Sequence, residues 1–205
     1  MRSRVRRAAF GVVAAAAVAV LAACGPVQMG AAAVVGDQRI AASSISGPAA
    51  EVERIAPASS EQGSVPGGIV LTRVIDLLIT EQARREGIDW SQGDIDKAIG
   101  KATQDEGLRP GQVYSVPLVS GVQVQLPTSE ARRFGRALYL EQALTKRYGS
   151  ADPEKGQREL AKRLSALARE IGVHVNPRYG EFDYAKVSLQ LNYGGLWVPA
   201  KRPAP

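Results

Sequence analysis

One stretch constrains this chain more than any other: Val65–Gly87, VPGGIVLTRVIDLLITEQARREG. At 3.6 residues per turn, Ile69, Val70, Leu71, Val74, Ile75, Leu77, Leu78, Ile79 and Ala83 cover most of a helix circumference. Only the last turns become polar, through Glu81, Gln82, Arg84, Arg85 and Glu86. A helix that is apolar nearly all round is a buried one. Arg73 and Asp76 interrupt it, and it is too short for a membrane span. Pro66 suits a first-turn position, and Gly87 supplies the left-handed residue that ends helices. Ordering such a segment costs about what its burial gains, so it needs neighbours. It is the core helix of a helical domain.

The 205 residues suit one domain plus extras. Aromatic content is only 5% against 45% hydrophobic residues, so the core must be aliphatic. The net charge of +6 suggests a nucleic-acid partner until it is divided along the chain. Arg2, Arg4, Arg6 and Arg7 stand in residues 1–23 with no acid, leaving 22 basic against 20 acidic residues elsewhere. That balance carries no nucleic-acid footprint. One Cys and one His exclude an internal disulfide and the usual Cys/His zinc site, and nothing implies a cofactor.

Residues 1–23 are a basic start followed by an apolar run, Ala8–Ala23. As a helix that run rises about 24 Å, short of the ~30 Å hydrocarbon core, and reads as a signal peptide. Leu21-Ala22-Ala23-Cys24, followed by Gly25, resembles the lipobox of bacterial lipoproteins. The resemblance makes Leu21, Ala22 and Ala23 the signal-peptidase recognition residues and Cys24 the site of diacylglycerol attachment. It also implies a chain held on the extracytoplasmic face of the cell membrane, since two acyl chains suffice for stable anchoring. The alternative is a plain secretory signal with an incidental Cys.

Residues 24–32 read as a tether. Ala33–Ile40 offers two small strands around Gly36-Asp37, and Ser43 or Ser44 caps a helix running to Ile55, with Glu51, Glu53 and Arg54 facing water. Pro57–Gly63 is a polar loop. Ser91 and Asp94 form a capping-box pattern opening a helix with Ile95, Ile99 and Ala102 on one stripe. Gly107–Thr128, with three prolines and the alternating Val122–Leu126, reads as a hairpin or loop over the core. Thr128 or Ser129 caps a helix to Tyr148 ended by Gly149, and Asp152-Pro153-Glu154 starts another that stops at Gly172. Val173–Asn176 is a short strand expected to pair with Val34-Val35, and Tyr184–Leu191 adds an extended piece. The domain is expected to occupy residues 33–182, with 183–205 an extended, partly disordered tail.

This order of elements resembles the N-terminal chaperone domain of SurA-type envelope foldases. The residues that carry the likeness are Val34-Val35-Gly36-Asp37 with Ile40, Ile75–Ile79 running into Glu81–Ile88, Ser91 with Asp94-Ile95, and Val173–Gly180. It spans roughly Val34–Phe182. The resemblance implies a mainly α domain in which a few short strands pair the start and end of the domain. It also implies a holdase that binds unfolded polypeptides. Many members of that group carry a parvulin prolyl-isomerase domain, which needs about fifty residues. Gly107–Thr128 offers too few, and the parvulin site relies on histidines where this chain has only His174.

Candidate chemistry is sparse. His174 lies alone in an alternating Val-His-Val run, Asp94, Asp96, Asp105 and Glu106 suit caps and solvated faces, and no Gly-x-Ser-x-Gly elbow exists. Gly67-Gly68 is too short to cradle a phosphate. Trp90 and Trp197 are either client-binding aromatics or core and lid residues. The expectation is a lipid-anchored chaperone-like protein without enzymatic activity; the alternative is an adaptor lipoprotein that docks one folded envelope partner. Replacing Cys24 with Ser is expected to abolish both membrane retention and signal processing. Fractionation checks this, and a Cys24→Ser chain that still pellets with membranes overturns the lipobox reading.

Overall fold

The computed structural model describes residues 30–56, 65–106, 112–117 and 123–190. These form, in order, β1 (Ala31–Val35), β2 (Gln38–Ala41), α1 (Ser43–Ile55), α2 (Val65–Arg85) and α3 (Gln92–Glu106). There follow β3 (Val113–Pro117), β4 (Gln123–Pro127), α4 (Ala131–Gly149), α5 (Pro153–Ile171), β5 (Val173–Val175), β6 (Glu181–Asp183) and β7 (Ser188–Gln190). The architecture is mainly helical with a few short antiparallel strands.

The core is built around α2, where Ile69, Val70, Val74, Leu78, Ile79 and Ala83 are fully buried. It packs against α1, α4, α5, β1, β4 and β7. That explains why its apolar residues run all round. Its end is the expected one: Gly87 takes a φ of 65°, and the Ile88 N–H donates back to the Ala83 carbonyl at 2.9 Å. A capping box opens α3, with the Ser91 N–H donating to Asp94 Oδ2 at 2.9 Å and the Asp94 N–H to Ser91 Oγ at 3.2 Å. Asp152 caps α5 by accepting from the Lys155 N–H at 3.0 Å.

The sheet order is β2-β1-β5, all antiparallel. Val35 pairs with Gln38, leaving Gly36-Asp37 as a two-residue turn with Gly36 at φ 59°. Val34 pairs with His174 and Val35 with Val173, so the first strand is joined to the segment after the last helix.

Several local expectations are corrected. Neither Ser43 nor Ser44 caps α1; Ala42 holds that position, and Ser44 Oγ donates to the Ala41 carbonyl at 2.6 Å. Thr128 and Ser129 do not cap α4 either. They form a 3-10 turn with Glu130, and their hydroxyls donate to Glu51 at 3.3 and 2.7 Å. Glu51 is therefore half-buried against that turn rather than simply solvated. Of the hairpin and loop readings of Gly107–Thr128 the hairpin holds, since Val113–Pro117 pairs antiparallel with Gln123–Pro127.

The packed fold also runs beyond both expected boundaries. Ala31 and Ala32, placed in the tether by the sequence, are buried in β1. At the other end β6 and β7 form a hairpin in which Val187 is buried, and the Tyr184 hydroxyl donates to the Val173 carbonyl at 2.6 Å. The expected signal peptide, Leu21–Cys24, the expected Ser-rich loop and Trp197 lie outside the described residues.

The α4–α5 hairpin is closed by glycine. A Cβ on Gly156 would overlap the carbonyl oxygen of Thr145, which is backbone and cannot swing aside. We expect Gly156→Ala to lower the unfolding free energy by about 2–3 kcal/mol, although alanine is the better helix former by about 1 kcal/mol. Gly100→Ala, where a Cβ meets nothing within 4 Å, should leave stability equal or higher. Urea denaturation of both variants checks this.

Candidate functional site

The polar residues that interrupt α2 do not form a reaction centre. Arg73 donates to Glu130 through Nε at 3.3 Å and Nη2 at 2.6 Å, and its remaining N–H groups reach Ser44 Oγ at 2.6 Å and the Ser44 carbonyl at 3.0 Å. Asp76 is fully buried and accepts from Arg136 Nε at 3.0 Å and Arg133 Nη1 at 3.4 Å. Arg133 also donates to Glu130 at 3.1 Å. Each carboxylate is matched by guanidinium donors, the arrangement of a structural ion-pair cluster. The cluster bolts α2 to α1, to the turn before α4, and to α4.

The residues nominated from the sequence are scattered. His174 is exposed on β5, Asp94 is used in the capping box, and Asp96 accepts from Gln92 on its own helix at 3.0 Å. The Asp105 and Glu106 side chains lie outside what the structure describes. Among the described residues no three His, Cys, Asp or Glu side chains converge on a point where a metal ion would sit. No helix among them is long and apolar enough to cross a membrane. Trp90 is half-buried and packs against the core at the α2–α3 junction, the core role of its two readings.

What stands out is the way α3 is attached. Its one extensive neighbour among the described elements is α4. In that contact Ile99 lies over Gly135, whose missing Cβ makes the room, and the Ile95 carbonyl stands 3.3 Å from where that Cβ would be. Ile95 is buried and Ile99 half-buried, yet neither belongs to the continuous core. Leu138, one turn along α4 from Gly135, is likewise half-buried and outside that core. Outward, α3 presents Gln92, Asp96, Lys97 and Lys101 to water. Burying these two isoleucines contributes about 3–5 kcal/mol gross to the contact. The sequence signalled the helix and its stripe; it did not signal that the stripe meets only one partner. No family model, curated protein or solved structure matches this chain.

One titratable group on α4 is out of balance. Glu141 has no cation or hydrogen-bond donor beside it among the described residues, and burial pushes its carboxyl up to about 7. In the unfolded chain it titrates near 4.5. Between these values the unfolded state gives up the proton first, so folding stability falls as pH rises from about 5 to about 7.5. We expect Glu141→Gln to remove that slope and to be more stable than the parent by about 2–3 kcal/mol at pH 8, with little difference at pH 4.5. Denaturation at the two pH values measures it.

Proposed function

We propose that this chain is an extracytoplasmic lipoprotein, held on the cell membrane by a diacylglycerol on Cys24, whose helical domain acts as a holdase for unfolded polypeptides. Signal-peptide cleavage after Leu21-Ala22-Ala23 leaves Cys24 as the first mature residue in this reading. The reading needs no cofactor and assigns no catalytic residue. The observation that carries it is the single-sided docking of α3. When α3 lifts, Ile95, Ile99 and the Gly135–Leu138 face of α4 become an apolar surface rimmed by charge, which suits extended apolar segments of another chain. Gly87 and the capping box at Ser91 give the α2–α3 junction a defined pivot, and Trp90 holds that pivot to the core. The likeness to the SurA N-terminal domain points to the same activity.

Every member of the described core lies between Ala32 and Leu189, so residues 25–205 carry what the fold requires. Such a soluble chain, lacking Cys24, has no thiol of its own. Ile99→Cys and Gly135→Cys introduced together put two thiols face to face across the α3–α4 contact, within bridging reach. Far-UV circular dichroism establishes that the pair is folded. Light scattering then follows several unrelated denatured proteins diluted into it. The reduced pair is expected to suppress their aggregation at near-stoichiometric amounts, and the oxidised pair to lose most of that effect. Equal suppression by both states would acquit α3. No suppression by the parent chain would replace the holdase with an adaptor for one folded partner.

A further inference from the structure

The hairpin that joins α4 to α5 closes so tightly that a Cβ on Gly149 would stand 2.8 Å from the Gly156 nitrogen. This brings the last turn of α4 alongside the first three turns of α5. Between them lies a surface recess of about 530 Å³, lined by Arg147 and Tyr148 from α4 and by Lys155, Arg158, Glu159, Lys162 and Arg163 from α5. Five cations line it with one acid.

Their partners are too few. Arg147 reaches Glu86 at 2.9 Å, and Arg163 shares that carboxylate at 3.4 Å while holding Glu159 at 3.1 Å. Arg158 reaches Glu154 at 3.4 Å. Glu86 is also engaged by the Tyr148 hydroxyl at 2.8 Å, a bond that holds its carboxyl below the usual range together with the neighbouring arginines. The Arg163 guanidinium lies 4.4 Å over the Tyr148 ring, which fixes its plane. Three carboxylates thus serve the three arginines, and Lys155 and Lys162 have no acidic partner among the described residues. Seven residues apart, these lysines stand two turns apart on one helix face. The N-terminus of α5 is already filled by the Asp152 carboxylate, so side chains alone supply the positive charge.

We propose that this recess binds an oxyanion of the phosphate type. The arginines supply directed donors, and the two free lysines close on the anion as flexible point charges. Such a group comes either free in solution or on a lipid headgroup. The fold favours the free form. The recess occupies α5 from Lys155 to Arg163, and the helix runs on from there to Ile171, about 12 Å, before β5, which pairs with β1. The recess therefore lies along the half of α5 away from β1, the strand that follows the proposed anchor.

The test uses soluble residues 25–205 at 150 mM salt, titrated with pyrophosphate and followed by amide chemical shifts. Saturable shifts centred on Arg147, Lys155, Lys162 and Arg163 are expected, with binding at least tenfold weaker in Lys155→Ala/Lys162→Ala. Lys97→Ala/Lys101→Ala, on the exposed face of α3, should bind like the parent. In a parallel arm the same proteins are floated with vesicles of phosphatidylglycerol or of phosphatidylcholine. Binding to phosphatidylglycerol alone, lost in the recess variant and without a pyrophosphate response, would keep the site and assign it to headgroups. The proposal is overturned if neither anion binds, if shifts spread over all basic residues, or if both lysine pairs weaken binding equally.

Discussion

Placing Arg73 and Asp76 on a helix buried from every side imposes a demand that apolar packing does not. A buried unpaired charge is too costly to tolerate, so each must meet its counter-charge when α2 is enclosed. Arg73 meets Glu130 and the start of α1; Asp76 meets Arg133 and Arg136. Aliphatic side chains all round α2 are compatible with many rotations about its axis. These two residues, three apart on one face, select a single rotation and fix where α4 begins. Ion pairs of this kind add little net stability over apolar replacements, and their contribution is to choose one arrangement among several well-packed ones.

Everything attached directly to α2 is held from more than one direction. The β3–β4 hairpin inserts Val124 against Gly68, where a side chain on the helix would exclude it. The sheet lies across α2 through β1, and Gln82 donates to the Tyr148 hydroxyl of α4 at 2.8 Å. The exception is α3, which sits on the far side of α4 with a capping box at one end and two isoleucines beneath. The continuous core and the α3 contact are thus separate packing regions joined through α4. That division is what a protein needs if it is to expose apolar surface without losing its fold.

How much of this was legible followed the range of the interaction. Caps at Ser91 and Asp152 and the stop at Gly87 were readable because each is settled within a few residues. The pairing of Val34-Val35 with Val173–Asn176 was readable because short alternating apolar runs at the two ends of a helical domain have few other partners. Ser44, Thr128 and Ser129 were misread as caps for the opposite reason. Their hydroxyls are claimed by residues many positions away, Arg73 for the first and Glu51 for the others. The same holds for the attachment of α3: a single apolar stripe records that a helix has a buried side, not how many elements bury it.

The strand pair that ties β1 to β5 has a consequence in time. Ribosomes add about 5–20 residues per second, so some 7–30 s separate the synthesis of Val35 from that of its partner Val173. During that interval β1 can pair with β2 on one edge only, and α2 lacks the two helices that cover much of it. The longest-waiting surface is therefore the one made earliest, and any delay between the middle and the end of the chain lengthens its exposure. In a protein of this topology the earliest surface is closed only by the last helices and β5.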